Sequence, residues 1–195
     1  LPMNQVNINT IVGDLSTKME PHKKYGKEHY VFTSIKCCEA DIPVVMSQHF
    51  FDKYKGQRVE LLAFPKKTRK NDKNLKKTTI VSFLEATFVN PTDSERDKRY
   101  VKIEGYVATE PCLKPTNDCS TSLQFELEYM VKFRNPVSVR VDCRIYGALA
   151  RFMMDLEKGD YVRLYGYVAG SGKTLRVVPT RIKKGEVVDE NLGQA

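Results

Sequence analysis

Apolar side chains recur at every second position from 137 to 145, and the positions between them carry polar, basic or aromatic side chains. Because side chains alternate between the two faces of a strand, this pattern predicts a strand with one buried face. The segments 125–133 and 162–168 show the same alternation. The sequence therefore predicts a protein built mainly of β-strands.

The pattern occurs in two similar halves, which are separated by the polar stretch 90–97. Each half opens with an alternating strand that contains a glycine, Gly13 or Gly105. Later, each half has a segment that predicts one short helix (50–55 and 152–158), closed by Gly56 or Gly159, since glycine favours the left-handed conformation after a helix. Five strands with a helix between the third and the fourth is the order of an OB-fold.

We therefore predict an all-β protein of two tandem OB-folds, each a five-stranded Greek-key barrel with one short helix between strands 3 and 4. The first is expected to span residues 4–90 and the second residues 98–184. A length of 195 residues with 41% hydrophobic residues is sufficient for two such cores. No apolar run approaches the length of a membrane span, so we expect no membrane partner.

The sequence contains no constellation typical of an enzyme. Residues 170–174 (GSGKT) resemble the end of a phosphate-binding loop, but the glycine required five positions before Gly172 is replaced by Tyr167. A strand pattern follows where that loop would open a helix, so we predict a hairpin turn between the last two strands. The three histidines form no metal or catalytic motif. We expect no catalytic residue, no metal site and no cofactor.

The five cysteines are odd in number, irregularly spaced and without a C-x-x-C pair. Reduced thiols in a cytoplasmic protein are therefore expected. Adjacent Cys37 and Cys38 are expected to point to opposite faces of a strand. Cys143 falls on an apolar strand face, which predicts a packed, unreactive thiol.

A net charge of +8 favours a polyanionic partner. The charge is most concentrated in the segment 65–77, between the last two strands of the first half. In OB-folds the loop between strands 4 and 5 contributes to gripping single strands, so we predict a flexible basic arm that neutralises phosphates. The alternative is a hairpin tip kept soluble by its charge. The basic residues are Lys66, Lys67, Arg69, Lys70, Lys73, Lys76 and Lys77.

Aromatic side chains accompany this charge. Proteins that bind single strands combine cations with exposed rings on which bases stack. In the second half, strand alternation predicts such a face from Arg140, Arg144, Tyr146, Arg163, Tyr165 and Tyr167. In the first half, the predicted rings are Tyr30, Phe32 and Phe64. The alternative for each ring is packing in a barrel or at an interface between protomers.

The second half resembles bacterial single-stranded DNA-binding proteins in the stretches VRVDCRIYGALA (139–150) and LEKGDYVRLYG (156–166). Gly105, Pro111 and Leu113 fit the first strand and the loop of that family. The resemblance implies OB-folds that assemble in fours or twos, and it places a base-stacking aromatic at Tyr146. The chain lacks tryptophan, which the family often uses for stacking, and residues 187–195 lack the family's acidic tail that recruits other replication proteins.

The sequence thus predicts a cytoplasmic homodimer that binds single-stranded DNA largely regardless of sequence. The predicted context is DNA replication, recombination or mobile-element maintenance, with other replication proteins as further partners. Two alternatives stay open at this stage: a protein-binding module on an OB scaffold and an RNA-binding protein.

Overall fold

The computed structural model describes residues 7–72, 74, 76–118, 120–132 and 135–185, apart from the side chains of residues 71 and 72. The first half contains β1 (Asn9–Leu15), β2 (Glu20–Tyr25), β3 (Glu28–Cys37), β4 (Ala40–Ser47), α1 (Gln48–Tyr54), β5 (Arg58–Asp72) and β6 (Lys77–Pro91). The second half contains β7 (Tyr100–Val107), β8 (Cys112–Pro115), β9 (Thr121–Lys132), β10 (Pro136–Tyr146), α2 (Gly147–Phe152), β11 (Tyr161–Ser171) and β12 (Thr174–Lys184).

Each half closes into a barrel of five strands. In the first barrel the strands follow the order β1-β5-β6-β4-β3, and β3 pairs again with β1, while β2 adds to β3 outside the ring. The second barrel repeats this with β7-β11-β12-β10-β9 closing on β7, and β8 adds to β9. Each ring contains one parallel pair, β4–β6 in the first barrel and β10–β12 in the second. The predicted all-β fold of two tandem OB-folds is confirmed.

The two helices differ in how well the sequence predicts them. The Ser47 hydroxyl accepts a hydrogen bond from the Phe50 amide at 3.4 Å and so caps α1, and Gly56 follows this helix with a φ of +74° as predicted. The second helix begins earlier than predicted and ends at Phe152. Gly159, with a φ of +94°, therefore lies in a later turn and does not cap the helix.

Gly13 and Gly105 occupy equivalent positions in the first strand of each barrel. A Cβ atom on Gly13 would lie 2.4 Å from the Lys36 carbonyl oxygen, and one on Gly105 would lie 2.4 Å from the Glu128 carbonyl oxygen. Only glycine therefore lets β1 and β7 approach the strand that closes the ring.

The predicted inward face of β10 is buried from Val139 to Ile145, whereas Val137 is 51% exposed at the start of the strand. Cys143 is a free, fully buried thiol, and burial raises its pKa well above the ordinary value. The prediction of a packed thiol is confirmed. Among the described residues, no helix is long and apolar enough to cross a membrane.

Most buried apolar side chains of both barrels form one connected hydrophobic cluster, and Val45, Val81 and Phe83 form a second, smaller one. Two asparagines attach the first barrel to the part of β7 that precedes its pairing with β9. The Asn9 side chain accepts from the Lys102 amide at 2.9 Å and donates to its carbonyl at 3.3 Å. The Asn7 side chain accepts from the Glu104 amide at 2.9 Å and donates to its carbonyl at 3.2 Å. These amide side chains replace the hydrogen bonds that a neighbouring strand would make.

The hairpin of β5 and β6 continues beyond the barrel as a two-stranded ribbon. Its pairs run from Pro65 opposite Leu84 to Asp72 opposite Lys77. We name residues 65–72 with 77–84 the ribbon. The prediction of a flexible loop over 65–77 is wrong, because residues 65–72 and residue 77 belong to paired strands. β-branched residues at 68 and 78–81 favour the extended conformation there.

Candidate nucleic-acid interface

The ribbon presents two different faces, because residues opposite each other in a strand pair share a face. The face that contains Lys67 and Ser82 lies against the second barrel. The Ser82 amide donates to the Lys173 carbonyl at 3.0 Å, and its hydroxyl accepts from the Leu175 amide at 2.6 Å. We call this the docked face. The open face carries Lys66, Thr68, Lys70, Thr79, Val81 and Phe83.

The lysines of the basic segment 65–77 that are predicted to contact phosphates differ in whether carboxylates already pair with them. The Lys67 ammonium contacts Glu126 and lies 2.8 Å from Asp142, both in the second barrel. Burial alone would lower the pKa of Lys67, but the two carboxylates outweigh it and raise the pKa. Its charge is therefore already neutralised, and its role is to fasten the ribbon to the second barrel. Lys66 lies at 3.8 Å from Glu85, on the open face.

The remaining cations of the run surround the far end of the ribbon. Four of them are exposed: Arg69, Lys70, Lys76 and Lys77. Lys73, which was predicted with them, lies outside the described residues. Two strands that hold cations at fixed intervals can follow a phosphate backbone at less entropic cost than a flexible loop.

A cluster of three rings lies at the base of the open face. His22 meets Phe83 edge-on with centroids 5.2 Å apart, and Phe32 meets Phe83 edge-on at 6.0 Å. Phe83 is buried beneath the other two rings, which are half-buried. We call His22, Phe32 and Phe83 the ring cluster. The β2–β3 pairing is irregular between Pro21 and Lys23, and such a bulge re-aims the intervening side chain, here His22.

Lysines from three parts of the chain act electrostatically on His22. Burial is the largest cause of its lowered pKa, followed by the positive charges of Lys70, Lys23, Lys66 and Lys173. Lys173 belongs to the hairpin turn of the second barrel, which is confirmed by the pairing of Ser171 with Thr174. Its ammonium lies 5.8 Å from the Phe32 ring centroid and 3.0 Å from Glu20. Lys66 and Lys173 are paired with Glu85 and Glu20, so Lys23 and Lys70 supply the excess of positive charge beside the accessible rings of the cluster.

A second aromatic surface covers the outer face of β7 and β11. The Tyr165 ring lies 4.5 Å from the Arg181 guanidinium and 5.5 Å from the Lys102 ammonium. The Tyr167 ring lies 4.6 Å from the Arg99 guanidinium. We call this surface the tyrosine face, and it includes Arg99, Tyr100, Lys102, Tyr165, Tyr167 and Arg181. Arg163 lies on the same side of β11 but is paired with Glu104 at 2.8 Å.

The predicted residues of β10 lie on a different surface. Arg140 is paired with Glu126 at 3.4 Å and with Glu128 at 3.7 Å. Arg144 lines a cavity of about 420 Å³ that also contains Glu110 and Asp142. Tyr146 is half-buried and immediately precedes α2. Because carboxylates surround its arginines, this surface is less suited to phosphates than the open face of the ribbon.

Two rings predicted in the first half differ in exposure. Phe64 lies in the middle of β5, is only 5% exposed and belongs to the hydrophobic core. The prediction of Phe64 as an exposed stacking ring is therefore wrong. Tyr30 is half-buried, and its hydroxyl donates to Glu28 at 3.3 Å. Tyr30 and Phe64 both line a cavity of about 650 Å³.

Sequence reasoning missed His22, Phe83, Lys23 and Lys173 as parts of one site. The four residues lie on separate segments, and the bulge at His22 and the docking of the second barrel bring them together. The signal available in the sequence was the alternation of β3, which placed Phe32 on an outward face. That signal identified one ring of the three.

Comparison with known proteins supports the fold. No protein-family model and no curated protein matches the chain. The single-stranded DNA-binding protein of Thermus aquaticus has a similar structure, with a TM-score of 0.68, 15% identity and 93% of each chain covered. A deletion mutant of that protein gives a TM-score of 0.69, 16% identity, and coverage of 93% of this chain and 95% of the other. At these identities the likeness establishes a shared architecture of two OB-folds in one chain.

Proposed function

We propose that this protein binds single-stranded DNA largely regardless of sequence, through the open face of the ribbon and the ring cluster. The observation that carries the proposal is that lysines of both barrels lie beside the ring cluster. Lys66 is paired opposite Phe83, with Lys70 on the same face of the ribbon, and the Lys173 ammonium of the second barrel lies 5.8 Å from the Phe32 ring centroid. Phosphates and bases need this combination of cations and rings. The likeness to single-stranded DNA-binding proteins agrees with it at the level of the fold.

The tyrosine face extends the proposed path. Strand β11 runs from Tyr165 and Tyr167 to the turn that carries Lys173, which touches the ring cluster. At about 3.3 Å per residue, the four positions from Tyr167 to Ser171, where the turn begins, span roughly 13 Å. A single strand that follows β11 would meet the tyrosines, then the ring cluster, then the exposed cations of the ribbon.

The direct test is a titration of labelled oligo-dT at several salt concentrations, beside duplex DNA of equal length and an RNA oligomer of matched sequence. We expect a linear log–log salt dependence, with a slope of about −0.7 for each phosphate contacted, and preference for the single-stranded DNA. Equal or tighter binding of duplex DNA or RNA would contradict the proposal, as would an absence of binding at low salt.

We expect the affinity for single-stranded DNA to depend on the ionisation of His22. Burial and, after it, neighbouring lysines lower its pKa in the free protein, and a bound phosphate would offset the lysine charges and raise it. Binding then takes up a proton, so the affinity rises as the pH falls from 8 toward 6. The gain is roughly tenfold for each unit by which binding raises the pKa.

The measurement is the dissociation constant of oligo-dT between pH 6 and pH 8, where carboxylates keep their charge. His22→Gln is expected to remove most of the pH dependence. His29 is exposed, pairs with Lys24 on β2 and lies outside the ring cluster, so His29→Gln provides the matched control. A wild-type affinity that is constant over this range would contradict a phosphate beside His22.

We further infer that the protein acts as a homodimer of four barrels in the cytoplasm, in replication, recombination or mobile-element maintenance. Support for the compartment comes from the four described cysteines, which are all free thiols. Sedimentation velocity over a range of protein concentrations tests the dimer. A mass of one chain at all concentrations would contradict it.

A further inference from the structure

The β3–β4 turn brings two adjacent thiols together. β3 ends at Cys37, which pairs with Ala40, so that Cys38 and Glu39 form a two-residue turn. Both turn residues have positive φ, 51° and 66°, a conformation that costs side-chain-bearing residues energy. The prediction that the two cysteines point to opposite faces is wrong. Their sulfur atoms lie 3.9 Å apart, because the chain leaves the strand between them.

The segment that links the barrels supplies a carboxylate to the same place. An Asp97 oxygen accepts a hydrogen bond from the Cys38 amide at 2.7 Å. The two sulfurs and a carboxylate oxygen all lie within 4.8 Å of one another. Lys98 and Val12 exchange backbone hydrogen bonds of 2.9 and 3.2 Å, which hold the linking segment against β1. The Arg58 guanidinium donates to the other Asp97 oxygen at 2.7 Å and so orients the carboxylate. Within the described part of the chain, no other group of His, Cys, Asp or Glu side chains has this geometry.

The sulfur separation distinguishes a metal chelate from a disulfide. Two thiolates bound at about 2.3 Å to one tetrahedral zinc-group ion lie about 3.8 Å apart. The observed 3.9 Å is close to that value. A disulfide instead requires about 2.05 Å between sulfurs and a Cα separation above about 4.4 Å. Adjacent residues have Cα atoms only about 3.8 Å apart, so a disulfide here would be strained.

We propose that Cys37, Cys38 and Asp97 bind a thiophilic divalent cation, Zn²⁺ or Cd²⁺, which joins the β3–β4 turn to the segment between the barrels. Thiolate ligands select such ions over Mg²⁺ and Ca²⁺. Cys38 is exposed, so water can complete the coordination on the outer side. Because the ligands come from the first barrel and from the linking segment, a bound ion stabilises the attachment between them.

The test uses the full chain, reduced and without DNA, titrated with Cd²⁺. We expect one Cd²⁺ per chain, an ultraviolet charge-transfer band from cadmium–thiolate bonds, and a higher thermal unfolding midpoint. Cys38→Ser removes a direct ligand and is expected to weaken Cd²⁺ binding by at least about 100-fold. Residues that only hydrogen-bond to a metal ligand usually cost about 10–100-fold when they are replaced. Asp97→Asn is expected to weaken it as well, and competition with Zn²⁺ is expected to remove the band.

Cys112→Ser is the matched control, because Cys112 is also a free, exposed thiol but lies outside the cluster. It should keep wild-type affinity. The proposal is overturned if wild type gives no charge-transfer band, if Cys38→Ser binds as wild type does, or if Asp97→Asn leaves the affinity unchanged. Unfolding of each variant without metal confirms that it is folded. Because no DNA is present, these outcomes are independent of the proposed nucleic-acid binding.

Discussion

Neutralising the exposed end of the ribbon is expected to lower the affinity for single-stranded DNA by about 10²–10³-fold at 0.1 M salt. The variant replaces Arg69, Lys70, Lys76 and Lys77 with glutamine. Each phosphate contact to a single strand releases about 0.7 counterion, so the loss of four contacts makes the log–log salt slope shallower by about 3. The two proteins are compared by extrapolation from 1 M salt, where electrostatic binding is weakest. Over the tenfold decrease to 0.1 M salt, a slope difference of about 3 corresponds to an affinity difference of up to about 10³-fold. The measurement is a fluorescence titration of oligo-dT at several salt concentrations.

A control of equal charge change separates local contacts from net charge. Lys53, Lys55, Lys114 and Lys158 are exposed and lie outside the ribbon, and their replacement by glutamine should change the slope by less than about 1. If the ribbon variant keeps the wild-type slope, or if the control variant loses as much affinity, the ribbon is not the phosphate-binding element. Lys67 is retained in both variants because its ion pairs hold the ribbon on the second barrel.

Gly105→Ala is expected to lower the free energy of unfolding by about 3 kcal/mol or more, a large part of the stability of a typical domain. The added Cβ would lie 2.4 Å from the Glu128 carbonyl oxygen and 2.8 Å from the Tyr129 Cβ. Both neighbours belong to β9, whose pairing with β10 and β7 prevents it from moving away. The measurement is the urea midpoint of unfolding.

Gly26→Asn is the control for this substitution. Gly26 has a φ of +60°, and a Cβ there would meet no atom within 4 Å. Asparagine tolerates this conformation, so the expected loss is below about 1 kcal/mol. A Gly105→Ala midpoint that equals wild type would mean that β7 can separate from β9 without cost, and it would contradict the described closure of the second barrel.

The docking of the two barrels gives the ribbon its function in this proposal. The docked face is held by the hydrogen bonds of Ser82 and by the ion pairs of Lys67. The same contacts bring Lys173 of the second barrel to the ring cluster of the first. A chain that carried only the first barrel would therefore lack one of the four lysines around His22 and the support of the ribbon.

Most of the strands could be predicted because alternation is a local property of the sequence. β10 and β11 were predicted within a few residues, and the repeat of Gly13 as Gly105 identified two copies of one fold. Helix α2 was placed too late because its six residues, Gly147–Phe152, are too few to establish a helical period. The sequence predicts a loop for the ribbon because the dense positive charge of this segment outweighs the signal of its β-branched residues.

The candidate site was predictable only in part. The sequence predicts an outward position for the ring of Phe32 and for four cations that are exposed in the structure: Arg69, Lys70, Lys76 and Lys77. Lys67 was grouped with them although it is paired with Asp142, which lies 75 positions later in the chain. Phe64 was assigned to the surface although it is buried. The local sequence shows neither the pairing of Lys67 nor the burial of Phe64, because each depends on residues far away in the chain.

The strands, the duplicated barrel and the excess of positive charge follow from neighbouring residues and from composition, so they can be predicted without coordinates. Three features depend on the folded chain: which cations are free, which rings are exposed, and the meeting of two thiols and a carboxylate beside the linking segment. Strand register, a bulge and the docking of two barrels set these distances between residues far apart in the chain. Local patterns carry no information about those distances.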